Sequence, residues 1–179
     1  MEHTNPAAHF GPANGKENAK PEHKIQASLI HWALLHDLTF HHCFDDFDHV
    51  FDELFFVTDE FSAGDIRADI IALGRKADRY FPVFIELKVD RLLTRLICQL
   101  DAAKEAAAIS QDDFIEFLSA ATGVEKERID FKPQLIIVWH ESKSGIESET
   151  VRKARGKGYM TGVFQPDDRI HFAGEKPTV

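Results

Sequence analysis

The sequence predicts an α/β fold, a mixed central sheet flanked by helices, and three observations carry that prediction. Apolar residues recur at helical spacing from Pro21 to about His36. Two strand-like runs, about Ile66 to Leu73 and Tyr80 to Val89, are separated by a short polar stretch. A near-continuous apolar run, Lys132 to His140, then follows a long helical segment. Taken with one more strand before the pair, the order is helix, three strands, helix, strand.

Residues 1 to about 20 are rich in Pro, Gly, Asn and Ala without periodicity and read as a disordered tail. Pro21 suits a helix start, and Ile25, Leu29, Trp32 and Leu35 supply the buried stripe. Glu22 falls in the first turn, where a carboxylate favours the helix dipole. The functional alternative is that it reaches over a sheet edge to a metal site, with Gln26 one turn on supporting it or touching DNA.

From Thr39 to Glu53 imidazoles, a thiol and carboxylates crowd together, which invites a zinc reading. Against it, the adjacent His41 and His42 do not converge easily, and no Cys-x-x-Cys or second ligand cluster accompanies them. Phe40, Phe44, Phe47 and Phe51, spaced by three and four, instead predict a short helix with an apolar stripe and a solvated acidic face. Such a face would repel a nucleic-acid backbone, which sets it away from any such substrate.

Leu54 to Phe61 reads as the first strand. Asp59 and Glu60 at its end either add a carboxylate to a site or blunt a sheet edge. The next two strands form an antiparallel hairpin, with Gly74 ending the first and Arg75 to Arg79 making the turn. Asp69, Glu86 and Lys88 interrupt this core-like pair, and isolated charge in an apolar interior is heavily penalised. Residues two apart share a face, so Glu86 and Lys88 stand together while Leu87 points into packing, and Asp69 can lie opposite. The group is either a half-buried salt bridge or an oxygen-donor site for a hard divalent cation with an ammonium beside it. Arg67, on the same face as Asp69, could pair with it or steer a phosphate.

After Asp90 a helix is predicted from Arg91 to about Ile109. Arg91, Arg95 and Gln99 form one polar ridge, either solvated or presenting donors to a phosphodiester, while Leu92, Leu96 and Leu100 cover the core. A short helix from Asp112 to Ala121 is closed by Gly123, and Lys132 to His140 has the composition of a strand buried on both faces. A right-handed crossover would set it parallel to the Glu86 strand. Glu147 to Ala154 reads as a helix running into Arg152, Lys153, Arg155 and Lys157. This dense basic cluster is either a phosphate-contacting patch or cations welcomed at a helix C-terminus. Two short closing strands and a loose tail, 174–179, follow, which leaves 21–173 as one domain.

Asp69 and, 17 positions on (86 minus 69), Glu86-Leu87-Lys88 closing an apolar strand resemble the PD-(D/E)XK nuclease superfamily. The helix opening Glu22-His23-Lys24-Ile25-Gln26 is similar to the Glu-x-x-Ile-Gln entrance of several such domains, including the VRR type. The segment Arg91 to Leu100 resembles the helix that carries a glutamine after the lysine. Ala103 stands where the RecB-like branch places an aromatic residue four positions beyond that glutamine. The resemblance covers roughly residues 21 to 141 and implies a restriction-endonuclease-like αβββαβ core. It implies a Mg²⁺-dependent phosphodiesterase acting on nucleic acid, DNA in the first instance, with Mn²⁺ able to substitute; a homodimer is compatible with it. Asp69 and Glu86 would ligate the cation, Glu22 would be an outer or second-ion ligand, and Gln99 would position the phosphate or the lysine. Lys88, beside two carboxylates, is expected to stay an ammonium and to act by charge. Arg67, Arg91, Arg95, Arg152, Lys153 and Arg155 are the candidate nucleic-acid contacts.

A net charge of −9 argues against a general nucleic-acid coat protein, whereas a nuclease needs only a local basic patch and its ions. No apolar run suffices to span a bilayer and no signal-peptide layout is present, so a cytoplasmic protein without membrane contact is expected. Cys43 and Cys98 have no close spacing and predict reduced, packing thiols. No phosphate-binding Gly-x-x-x-x-Gly-Lys loop or Gly-x-Ser-x-Gly elbow occurs. Two other classes stay open: a catalytically silent module of the same fold binding nucleic acid or a protein partner, and an α/β adaptor or toxin–antitoxin partner with a structural salt bridge.

Overall fold

The computed structural model describes residues 21–45, 47, 50–63, 66–88, 93–140 and 149–172, with backbone only at 21, 63, 93–96, 149–151 and 172. The expected tails 1–20 and 174–179, Arg91, and Asp46, Asp48 and His49 of the acidic stretch lie outside the described residues. Helix α1 (Pro21–Leu35) leads to strands β1 (Glu53–Ala63), β2 (Ile66–Lys76) and β3 (Arg79–Lys88). Helices α2 (Leu93–Ile109) and α3 (Gln111–Thr122) precede β4 (Gln134–His140), and α4 (Glu149–Gly156), β5 (Met160–Phe164) and β6 (Ile170–Phe172) follow. The strands form a six-stranded mixed sheet in sequence order: β1, β2 and β3 are antiparallel, β4 and β5 run parallel to β3, and β6 turns back along β5. The fold is α/β, and the predicted order of helix, three strands, helix, strand is present with α3 inserted. No helix among the described residues is long and apolar enough to cross a membrane.

Strand alternation divides the core in two. Ile70, Ala72, Val83, Ile85 and Leu87 pack against Ile25, Leu29 and Ala33 of α1. Ile71, Leu73, Phe84, Ile137 and Trp139 pack against Ile97, Leu100, Phe114 and Leu118 of α2 and α3. Glu86, between Ile85 and Leu87, therefore belongs to the α2 side.

The hairpin turn is tighter than expected. Lys76 pairs with Arg79, so only Ala77 and Asp78 remain between the strands. The charges that made Arg75 and Lys76 look like turn residues are satisfied from the chain before β2 and its neighbour: Arg75 Nε donates to Glu53 at 2.6 Å and Lys76 lies 3.3 Å from Asp52. Asp52 also accepts from the Ala77 N–H at 2.8 Å, which anchors the left-handed Ala77 (φ 53°).

In place of the helix predicted around Phe40 to Phe51, the described residues of this strap hold a 3₁₀ turn at His41–Cys43 and a further turn in which Phe51 N–H bonds Phe47 O at 3.2 Å, and all four phenylalanines are buried. Its backbone groups serve the sheet edges. Phe40 N–H bonds Leu54 O at 2.9 Å, Leu38 O accepts from Phe56 N–H at 2.7 Å, and Asp45 N–H bonds Ile170 O at 2.9 Å. Thr39 thus bridges to Phe55 of β1, and Phe44 to Ile170 of β6. On a flat sheet those two outer positions would be seven strand spacings apart, roughly 34 Å. Five residues of chain span at most about 18 Å. The sheet is therefore strongly curled, and the strap's phenylalanines fill its concave side.

Gly74 shows how closely they fit, because a Cβ there would lie 2.8 Å from the Phe51 ring. Gly74→Ala is expected to cost about 1–3 kcal/mol, the usual penalty of overpacking. Chemical denaturation should show a lower midpoint, partly restored by Phe51→Leu in the same chain. Cys43 packs in this core, whereas Cys98, expected to pack as well, is exposed; both thiols are free.

Candidate active site at the splayed end of the β2–β3 hairpin

The β2–β3 ladder runs from Lys76 and Arg79 up to Ile70 and Ile85 and pairs no further. Beyond that point β3 remains held by β4, with Glu86 opposite Ile137 and Lys88 opposite Trp139. On the β2 side, a side chain replaces the missing rung: Asp69 Oδ2 accepts the Leu87 N–H at 2.7 Å. The Asp69 backbone N–H in turn tempers the Glu86 carboxyl, as the smallest of the influences that lower its pKa. Asp69 is thus oriented by the main chain next to Glu86, where the strands part. The splay opens a pocket of about 320 Å³ lined by Asp69, Glu86, Arg67, Glu60 and, from α2, Gln99.

Glu86 is 3% exposed. Burial and the neighbouring Asp69 charge push its carboxyl up to about 7, against the opposing pull of Lys88. Asp69 is also raised, chiefly by burial, with the Leu87 N–H and Lys88 acting the other way. Lys88 Nζ lies 3.2 Å from Glu86 Oε1. Burial alone would depress the lysine, but Glu86 and Asp69 outweigh it and hold it above its ordinary value, as an ammonium. Two like charges in a confined, mostly buried site raise each other's pKa, and a cation between them removes that penalty. Their oxygens suit a hard cation. Among the described residues no three His, Cys, Asp or Glu side chains converge closely enough to hold an ion by themselves. The pair would leave the remaining coordination positions to water and substrate oxygens.

Glu22, in the first turn of α1, is near enough for its charge to bear on both Asp69 and Lys88. It stands at the periphery of the pair rather than within it. Arg67 and Gln99 are exposed at the pocket. Arg95 lies on α2 one turn before Gln99, with its side chain outside the described residues. The cations of α4 and Lys157 just beyond it do not line this pocket. Arg152 and Lys153 are exposed, Arg155 turns inward to donate to Thr161 Oγ1 at 3.1 Å, and Lys157 is paired with Asp101.

Glu60 is the addition that sequence reasoning left undecided. It lines the pocket, its charge bears on Asp69, and its backbone is left-handed at φ 46°. The rungs on either side of it are Asp59 with Ile70 and Phe61 with Ala68. A strained φ in a strand leaves no mark in the sequence, so nothing in the chain's pattern distinguishes Glu60 from an ordinary edge charge.

No protein-family model matches the chain, and no curated protein matches it. Among solved structures it is similar to the crystal structure of an XisH family protein from Nostoc punctiforme, with 10% identity, 85% of this chain and 98% of that chain covered, and a TM-score of 0.36.

Proposed function

We propose that the chain is a divalent-cation-dependent nuclease of the PD-(D/E)XK type that hydrolyses phosphodiester bonds, with DNA as the substrate. The observation that carries this reading is the Asp69–Glu86 pair at the parting of two strands, with Asp69 held by the Leu87 N–H and the Lys88 ammonium beside Glu86. A buried acidic pair with a lysine and an open pocket has little structural value. Replacing such a group by apolar residues is usually neutral or stabilising, so its presence points to a task.

In this reading Asp69 and Glu86 hold the ion, Mg²⁺ or Mn²⁺, with Glu22 as an outer partner through water. When bound, the ion lowers the pKa of a coordinated water and offsets charge on the scissile phosphate. Lys88 keeps its proton and places positive charge where a phosphate oxygen gains negative charge. Gln99 offers an amide donor, and Arg67 a guanidinium, to the non-bridging oxygens from two sides of the pocket.

The test is direct. Purified protein is incubated with supercoiled plasmid and with labelled single-stranded DNA in Mg²⁺, in Mn²⁺ and in EDTA. Cutting in either metal and none in EDTA is expected. No cutting of either substrate, together with no cation binding by calorimetry, would sink the reading and leave the acid–lysine group as a structural salt bridge.

A further inference from the structure

We infer that Gln26 is a positioning residue of the proposed nuclease site, tying α1 to β1 so that Glu22 and Glu60 are held around Asp69. The inference rests on the nuclease reading and adds to it a residue that touches none of the reacting groups. Its geometric basis is one hydrogen bond: Gln26 Nε2 donates to Asp59 Oδ2 at 3.1 Å across 33 residues of sequence, and both side chains are half-buried.

On the helix, Glu22 and Gln26 are four residues apart and so lie one above the other on the same face. Ile25, Leu29 and Ala33 seat α1 in the core. Apolar burial is non-directional and leaves rotation of the helix weakly determined. A directional bond at Gln26 removes that freedom and with it the freedom of Glu22.

On the strand, Asp59 pairs with Ile70, the residue after Asp69, and is followed by Glu60. Asp59 meets α1 while Glu60 lines the pocket, so a bond made at Asp59 is transmitted to Glu60 through a single peptide. That peptide leads into the left-handed Glu60, a conformation that persists only where its surroundings impose it.

The chemistry of the donor also fits. Glu22 and Glu60 both bring negative charge toward Asp69, an arrangement that repels itself and must be held by contacts outside it. A lysine or arginine at position 26 could hold Asp59 too, but would add a positive charge beside a cation site. A neutral amide supplies the bond without that competing charge.

The test compares wild type with Gln26→Ala, Gln26→Glu and the Gln26→Glu/Asp59→Asn pair. Three quantities are read: the Mg²⁺ concentration for half-maximal cleavage, Mn²⁺ affinity by EPR titration without substrate, and the melting temperature. Gln26→Ala is expected to raise the Mg²⁺ requirement and weaken Mn²⁺ by up to about 10-fold, the lower end of the loss seen when a partner bonded directly to a ligand is removed, with little change in melting temperature. Gln26→Glu sets two carboxylates against each other and should be at least as impaired. In the double variant an asparagine amide donates to a glutamate, the bond returns with its polarity reversed, and affinity should recover.

Gln26→Ala matching wild type in both cation readouts, or a double variant no better than Gln26→Glu, would overturn the inference while wild-type cleavage leaves the nuclease reading intact. A fall in melting temperature that fully accounts for the lost affinity would also overturn it. A wild type that neither cuts nor binds Mn²⁺ would overturn both.

Discussion

Glu86→Gln is expected to abolish metal-dependent cleavage and, in chelator, to make the protein more stable at pH 8 than the wild type. Both effects follow from one fact, that a carboxylate with ordinary pKa 4.5 is buried beside Asp69 and pushed up to about 7. Losing a direct cation ligand should exceed the 10- to 100-fold typical of outer partners. The folded state holds the Glu86 proton more tightly than the unfolded chain does. Its contribution to stability is therefore complete below about pH 4.5, declines as pH rises, and is gone above about pH 7. Glutamine cannot ionise and keeps that contribution at every pH. At about 1.4 kcal/mol per pKa unit the difference at pH 8 should be about 2–4 kcal/mol, the pull of Lys88 being already contained in the shift. Thermal melts in EDTA at pH 5 and pH 8 should show the gap opening with pH, and Mg²⁺ should narrow it by stabilising only the wild type. Equal gaps at the two pH values would mean that Glu86 does not titrate in this window.

The elements of the fold were legible because their patterns are local. A 3.6-residue period from Pro21 and apolar runs ending at Lys88 and His140 need no distant information. Asp69, Glu86 and Lys88 were legible for a related reason, since charge inside such runs is costly and strand parity puts 86 and 88 on one face. What was not legible depends on groups far away in sequence. Phenylalanines spaced by three and four suit a helix, yet at Thr39, Phe40, Phe44 and Asp45 the backbone is committed to the open edges of β1 and β6, whose unpaired groups need partners. Arg75 looked like a turn residue until Glu53 took its charge. The run from Arg152 to Lys157 is dense in sequence but divided in space, because Arg155 is engaged by Thr161 and Lys157 by Asp101, 56 residues away. The role of Gln26 was visible only as a helical partner of Glu22, since its acceptor lies on β1.

Lys88→Met should separate cation binding from catalysis. With Nζ 3.2 Å from Glu86 Oε1 and both acids holding its pKa up, Lys88 is a fixed positive charge across the neutral range rather than a base waiting to accept a proton. Methionine keeps the length and apolar stem, so the half-buried end of β3 should still pack. Removing the charge takes a repulsive neighbour away from the cation, and Mn²⁺ affinity should be kept or improved. Cleavage at saturating Mg²⁺ should nevertheless fall about 10²- to 10³-fold, the range seen when one preorganised electrostatic contact to a developing negative charge is lost. Lys88→Arg then distinguishes the two roles a lysine could have. A guanidinium cannot be deprotonated at any working pH, so measurable cutting by the arginine variant, well above that of the methionine variant, means that charge is the working property. An arginine variant as inactive as methionine, with Mn²⁺ affinity intact in both, would favour a lysine that exchanges a proton. A methionine variant that cuts like the wild type would remove Lys88 from the site altogether and leave the ion, Gln99 and Arg67 to meet the phosphate.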